Sequence, residues 1–365
     1  MPLPEAPIWE KHLAQKGNLL ALNFEVTSRC NNNCRHCYIN VPARSRGAKQ
    51  KELSFEKIRD IGDQAHKLGA LWCLITGGEP LLRDDFEEIY IYLKTKGFLV
   101  TVFTNATLIN ESHIDLFKKW PPRDIEVTVY GVTEKTYERV TRTPGSFEAF
   151  KNGLNLLLDS GVPVNLKAMA IQSNKHELDE IARFCRKKDK SSFRFDPFLH
   201  LRLDGDHKRN QEIISERLTV EEIAAFEQQE GLWFGVTKQE YCSLIHRQSV
   251  NSKENLLFNC GTGLDECTIG PDGTFRLCSS LAHPDCVYDL KQGSLVEALK
   301  EFVHEVRDWR SDRQCFLENC RLCPIVSLCY WCPAHAYLEK GELDSPIEYF
   351  CEIAKSRKKA LESGK

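Results

Sequence analysis

The sequence predicts an α/β protein in which successive βα units surround a parallel sheet and a small cysteine-rich region follows. Three observations predict this. From Leu19 to Phe198 short β-rich runs alternate with longer amphipathic segments. The 365 residues, 42% of them hydrophobic, are enough to bury a core without crosslinks. Eleven of the 16 cysteines fall between Cys242 and Cys351, where apolar density is too low for a large core and bound metal would supply cohesion.

The candidate strands, in order, are Leu20 to Val26, Leu71 to Thr76, Phe98 to Thr104, Asp124 to Tyr130, Pro163 to Ile171 and Ser192 to Phe198. Helical signals lie between them. Ser54 caps a segment with Phe55, Ile58, Ile61, Ala65 and Leu68 on one face, and Gly69 ends it. Asp84, three residues before Glu87, opens a second stripe of Phe86, Ile89, Tyr90 and Leu93 that Gly97 closes. Between about Leu203 and Asn259 the periodicity weakens into a connector, apart from a helix starting at Thr219. Beyond it, a Pro271-Asp272-Gly273 turn separates two short β-like runs. The expected divisions are an N-terminal segment 1–17, a barrel 18–205, a connector 206–258, a cysteine-rich domain 259–353 and a helix end 354–365.

Charge excludes some classes of function. With 52 acidic and 49 basic side chains the net charge is −3, and no long block of like charge marks a nucleic-acid surface or an acidic tail. No apolar run is long enough for a membrane span, and the first residues carry no basic flank leading into an apolar stretch. The expected setting is the cytoplasm, where cysteines serve as ligands or catalysts more often than as disulfides.

Two motifs carry chemistry. The segment EVTSRCNNNCRHCYIN places Cys30, Cys34 and Cys37 at C-x3-C-x2-C on the loop after the first strand, at the sheet edge where α/β barrels keep their active sites. Three thiolates leave one iron of a four-iron cluster open to a small molecule, because such a cluster normally takes four. A Cys3His zinc site using His36 is the competing reading. The second strand ends in Thr76, Gly77, Gly78, Glu79 and Pro80, where glycines let a ligand approach the backbone and a carboxylate can receive an ammonium group.

The triple followed by Tyr38, with GGEP after the next strand, resembles the radical S-adenosylmethionine (radical SAM) enzymes over residues 18 to 200. The resemblance implies a partial (β/α)6 TIM-like barrel, with Cys30, Cys34 and Cys37 holding a [4Fe-4S] cluster whose open iron binds the amino and carboxylate groups of S-adenosylmethionine. It implies further that Gly77, Gly78 and Glu79 receive the amino group and that Tyr38 lies near the adenine. Thr104 and Asn105, and Thr128 and Tyr130, close the third and fourth strands. By the same resemblance Thr128 meets the ribose and Lys167, on the fifth strand, meets the carboxylate.

The C-terminal cysteines are similar to the SPASM extension of radical SAM proteins, in which a Gly-x4-Cys element, here Gly273 to Cys278, precedes a cysteine string and an isolated last cysteine. The resemblance implies two auxiliary [4Fe-4S] clusters, one on Cys260, Cys267, Cys278 and Cys332, the other on Cys320, Cys323, Cys329 and Cys351. The string ends Cys329-x2-Cys332 where C-x3-C is usual. From spacing alone two zinc sites remain the alternative. Cys242, Cys286 and Cys315 are spare, while Cys73 and Cys185 read as buried apolar cysteines.

The implied activity is reductive cleavage of S-adenosylmethionine to a 5′-deoxyadenosyl radical that takes a hydrogen from a peptide or protein side chain, as in ribosomal peptide maturation. Alternatives are a small-molecule substrate such as a haem precursor, anaerobic sulfatase maturation, or no catalysis at all, in an iron–sulfur electron carrier or a zinc-stabilised binding module. Ser279, after Cys278, stands where similar sulfatase maturases place an aspartate, although Asp265 or Asp272 could substitute. Expected partners are a flavodoxin- or ferredoxin-type electron donor and a peptide, its leader read by a separate protein or by an edge strand, because fewer than twenty residues precede the first strand.

Overall fold

The computed structural model describes residues 19–188, 193–230, 255–258 and 260–362. The predicted N-terminal segment, Cys242 and the second half of the connector lie outside them. The six predicted strands are present as β1 (Ala21–Thr27), β2 (Trp72–Gly77), β3 (Leu99–Thr104), β4 (Asp124–Thr128), β5 (Val164–Met169) and β6 (Arg194–Asp196), parallel and adjacent in chain order. On the other side of β1 the sheet continues. Strand β7 (Glu266–Ile269) pairs parallel with β1, and β8 (Thr274–Arg276) and β9 (Val287–Asp289) follow antiparallel. The predicted Pro271-Asp272-Gly273 turn is thus the tip of a hairpin that grafts the cysteine-rich region onto the barrel's first strand.

Side-chain alternation along the strands divides an apolar layer from a polar lumen. Leu22, Phe24, Val26, Cys73, Ile75, Val100, Val102, Ile125, Val127, Leu166 and Ala168 are 0–2% exposed and join the core cluster that packs the sheet against its helices. Their neighbours point the other way. Asn23, Glu25, Thr76, Thr128 and Lys167 line a lumen cavity of about 320 Å³ at the C-terminal strand ends, and a second cavity, about 430 Å³, opens at the N-terminal ends.

Helix α1 (Phe55–Lys67) starts as predicted, with the Ser54 hydroxyl accepting from Lys57 N. Helix α2 (Phe86–Thr95) buries Phe86, Ile89, Tyr90 and Leu93, but its cap is Asp85 rather than Asp84, and no side chain closes it. Both carboxylates have stronger partners: Asp85 holds Arg83 and Asp84 holds Lys49. Helices α3 (Glu111–Lys119), α4 (Glu134–Thr141), α5 (Ser146–Ser160) and α6 (Leu178–Lys188) complete the barrel's outer layer. The described residues 206–230 of the connector are more ordered than its weak periodicity suggests. They contain α7 (His207–Glu216), capped by Asp206, and α8 (Val220–Glu230), whose Thr219 and Glu222 exchange the reciprocal capping bonds. Two later helices follow: α9 (Pro333–Lys340), capped by Cys332, and α10 (Glu348–Glu362), which carries Cys351. A buried Arg357–Glu227 pair ties α10 to α8, and Arg357 also donates to Leu328 O beside Cys329.

Candidate active site

The three N-terminal cysteines all line the 320 Å³ cavity. Their loop is pinned from three sides. Asn105, just past β3, donates to Asn31 Oδ1 at 2.9 Å and reaches Cys30 Sγ at 3.8 Å. The end of α4 receives the loop through Asn33 N to Thr141 O and Arg35 N to Val140 O, and Arg209 of α7 donates to Cys34 O at 2.9 Å. Sequence reasoning missed Arg209; the Asp206 cap was its only local signal. Burial pushes Cys30 up to about 12 and raises Cys34 and Cys37 as well. A metal that binds here must therefore displace protons.

The glycines of GGEP are required by close packing. Gly77 has φ +130°, and a Cβ on it would sit 2.2 Å from Thr27 O; one on Gly78 would sit 2.2 Å from Arg29 O. Their absent side chains let β2 press against the chain that leads into Cys30, and both line the cavity. Glu79 does not line it. Fully buried, its carboxylate accepts from Thr104 Oγ1 (2.8 Å), Asn105 N (2.8 Å) and Leu81 N (3.2 Å), and burial raises its pKa to about 7. Its acceptors already hold β2, β3 and the following turn together, so an ammonium group received here would have to compete with these donors.

Tyr38 and Thr128 line the cavity. So does Lys167, but its ammonium lies 3.0 Å from Glu126 Oε1 and 3.5 Å from the centre of the Phe103 ring, and burial depresses its pKa. A carboxylate ligand would have to compete with Glu126.

Several lining residues were not singled out from the sequence. Glu25 is 3% exposed, pairs with Arg276 of β8, and leaves Oε1 without a partner; the Thr268 hydroxyl on β7 is likewise buried and unpartnered. Strict alternation in LNFEVT was the available signal for Glu25. His200 lies where the barrel meets the C-terminal region. The carbonyl of Tyr330 can only accept, so His335 Nδ1 carries the proton and its Nε2 accepts from His200 Nδ1 at 2.9 Å. That fixes His200 Nε2 as an acceptor, and burial holds the ring neutral by lowering its pKa to about 3. Ser279 lines the cavity too, whereas Asp265 is exposed and Asp272 accepts from Thr274 N inside its own turn.

The C-terminal cysteines divide into two groups. Cys320, Cys323, Cys329 and Cys351, the predicted second set, line one cavity of about 140 Å³, and Cys329 and Cys351 share a hydrogen bond. A zinc ion draws four thiolates to about 2.3 Å of one point. A void lined by all four suits a larger inorganic group. In the first set, burial pushes Cys332 up to about 12 and the neighbouring Cys278 and Cys260 add to it; burial also raises Cys278, again with Cys260 beside it. Cys267 stands apart. It is 0% exposed on β7, level with Leu22 of β1, which in turn is level with Cys73, and it belongs to the apolar layer with Cys73 as an electrostatic neighbour. Cys73 and Cys185 are buried as expected, and so is Cys286.

Residues 24–185 match the Radical SAM superfamily model. The chain carries a radical SAM domain. As a radical SAM enzyme it uses a [4Fe-4S] cluster and S-adenosylmethionine. Antilisterial bacteriocin subtilosin biosynthesis protein AlbA of Bacillus subtilis (strain 168) is 25% identical over 317 residues, 86% of this chain and 67% of that protein. A probable GTP 3',8-cyclase of Methanothermobacter thermautotrophicus is 32% identical over 173 residues, 47% of this chain and 55% of that protein. The AdoMet-dependent heme synthase of Nitratidesulfovibrio vulgaris is 25% identical over 164 residues, 45% of this chain and 44% of that protein. The chain thus spans only about half the length of these last two relatives. Among solved structures, Streptococcus suis SuiB bound to precursor peptide SuiA superimposes with TM-score 0.66 at 15% identity, covering 93% of this chain and 78% of that one. AdoMet-bound anSMEcpe superimposes with TM-score 0.62 at 14% identity, covering 95% of each. At these identities the likeness establishes the fold, and it extends through the cysteine-rich region. No helix among the described residues is long and apolar enough to cross a membrane.

Proposed function

We propose that this radical SAM enzyme modifies a peptide or protein side chain. One observation carries the reading. The bacteriocin biosynthesis relative aligns over 86% of the chain, barrel and cysteine-rich region together, whereas the cyclase and heme synthase relatives align over 47% and 45%. The fold likeness to SuiB, a protein solved with its precursor peptide, also spans both halves.

On this reading Cys30, Cys34 and Cys37 would hold the cluster that serves S-adenosylmethionine, and Cys320, Cys323, Cys329 and Cys351 an auxiliary one. Cys260, Cys278 and Cys332 would supply thiolates to a further cluster. The chemistry supplied when these groups are bound is removal of a hydrogen atom from an unactivated C–H bond. The protein's own part is positional. Gly77 and Gly78 offer a bare backbone to the cofactor, Tyr38 and Thr128 flank it, and the barrel walls exclude water from the reacting pair. At the seam with the C-terminal hairpin, Glu25 Oε1, Thr268 Oγ1 and His200 Nε2 present hydrogen-bond acceptors that suit the N–H groups of a peptide. Ser279 is a poor base at neutral pH, which weighs against sulfatase maturation.

The test is anaerobic incubation of the reduced holoenzyme with S-adenosylmethionine and the short peptides encoded beside its gene. The expected result is a peptide lighter by about two hydrogens by mass spectrometry, as for a crosslink or dehydrogenation. Unchanged peptides alongside turnover of a porphyrin or nucleotide would reject the proposal.

A further inference from the structure

The cysteine loop has an outer face as well as the face that lines the cavity. From Val26 to Lys51 the chain carries six Lys or Arg residues and no Asp or Glu, in a protein whose net charge is −3. The second half of this stretch returns to the loop: Arg29 and Cys30 pair with Val41 and Pro42 in a short parallel ladder, and the helix Arg46–Lys51 follows, its N-terminus capped by Ser45. That helix buries none of its residues. Arg44, Arg46, Lys49 and Lys51 are all exposed on or beside it. Lys49 meets Asp84; the other three make no ion pair among the described residues.

The acids nearby do not neutralise this face. Glu52 is turned inward, where it holds the Arg29 guanidinium at 2.6 and 3.1 Å, and Asp85 is bound to Arg83. Asp84 is the one acid among these that reaches the exposed cations. Like charges gathered on a helix that buries none of its residues repel one another and add little folding energy. Their placement is informative, because none of the four lines the cavity in which substrate and S-adenosylmethionine would meet. They lie instead on or beside the exposed helix that follows the ladder to Arg29 and Cys30.

We propose that this basic helix and the adjoining ladder are the docking surface for an acidic one-electron carrier protein, which delivers its electron to the cluster held by the Cys30 loop. The carrier is oxidised by one electron and the cluster reduced by one; no bond forms between the proteins. Complementary charge on exposed side chains accelerates encounter and sets orientation without burying much apolar surface, as suits a carrier that must leave again. An acidic precursor peptide is the other polyanion that could bind here. The position favours the carrier, since the surface serves the loop from outside the cavity.

The experiment uses the reconstituted holoenzyme with a bacterial flavodoxin as probe. The triple variant Arg44→Glu, Arg46→Glu, Lys51→Glu is compared with wild type and with Arg44→Lys, Arg46→Lys. Binding is read by surface plasmon resonance, and formation of 5′-deoxyadenosine is read with either reduced flavodoxin or dithionite as electron source. Wild type should bind flavodoxin with an affinity that falls as salt rises from about 0.02 to 0.3 M. The triple variant should lose roughly tenfold or more in affinity and in flavodoxin-driven rate. It should keep its dithionite-driven rate, and the Lys variant should bind as wild type does. Binding that ignores salt or charge reversal would overturn the proposal. So would equal losses with both reductants, which would make the helix a support for the cluster site, or a loss confined to the affinity for an acidic precursor peptide.

Discussion

Replacing Glu79 by alanine separates a carboxylate that supports the fold from one that binds a cofactor. The substitution leaves three donors, Thr104 Oγ1, Asn105 N and Leu81 N, without their acceptor, and Thr104 and Asn105 are 6% and 8% exposed. At about 1–3 kcal/mol for each buried donor left unmade, and with partial relaxation, the loss is roughly 4 kcal/mol where the carboxyl is neutral in the fold. Against it stands the cost of burying a charge. Burial lifts the folded-state pKa from 4.5 to about 7. In the wild type the unfolded chain therefore releases its proton first as pH rises, and stability is full below about 4.5 and declines until about 7. At 1.36 kcal/mol per unit that decline is on the order of 3 kcal/mol. The alanine variant lacks it. The stability difference between wild type and Glu79→Ala should accordingly shrink from roughly 3 kcal/mol at pH 5 to about 1 kcal/mol or less at pH 8.

Urea unfolding of the reduced, metal-free chain, followed by ellipticity at several pH values from 5 to 8, measures this difference. Groups unrelated to Glu79 titrate alike in both proteins and cancel. A difference that stays flat or grows toward pH 8 would refute the argument. So would a variant as stable as wild type that has lost only its affinity for S-adenosylmethionine.

Cys267→Ala should retain the wild-type iron and sulfide content after reconstitution, whereas Cys278→Ala should lose iron; colorimetric iron and sulfide assays compare them, and equal losses would return Cys267 to the ligand set. Gly78→Ala should fail to load the N-terminal site, because its Cβ would meet Arg29 O at 2.2 Å and displace the chain leading into Cys30; an unchanged cluster spectrum would contradict the close-packing argument. Arg357→Ala should destabilise the chain by about 3–5 kcal/mol in urea unfolding by stranding Glu227 in the interior, while Arg357→Met with Glu227→Leu should come within about 1 kcal/mol of wild type or exceed it.

The barrel was legible in the sequence because its signals are local. Each strand shows buried residues at every second position, and Ser54 and Thr219 are caps whose side chains can reach only the next turn. Helix α7 was not legible: apart from its Asp206 cap it buries little, Ile213 and Glu216, so its apolar stripe is too thin to register. The Asp84 cap failed for a different reason. Arg83 and Lys49 outbid the backbone for both carboxylates, and Lys49 is 35 positions away in the chain.

Cys267 shows where spacing stops and geometry begins. A cysteine on a strand can face only one of two sides, and its neighbours in the chain decide which. Thr268 lines the lumen, so Cys267 must face the helices with Ile269, however well its distance from Cys260 and Cys278 suits a ligand string. Cys278 escapes that constraint because it lies beyond the end of β8, where the chain is free to turn toward Cys260 and Cys332. The same parity places Glu25 and Thr268 on the lumen side of adjacent strands, one from the barrel and one from the hairpin. The hairpin therefore does more than lead into the cysteine-rich region. By pairing with β1 it completes the wall of the cavity and brings buried, unpartnered acceptors into it. A substrate held there would touch both halves of the chain at once, which is the physical reason a relative that aligns with both halves is a better guide to the substrate than one that aligns with the barrel alone.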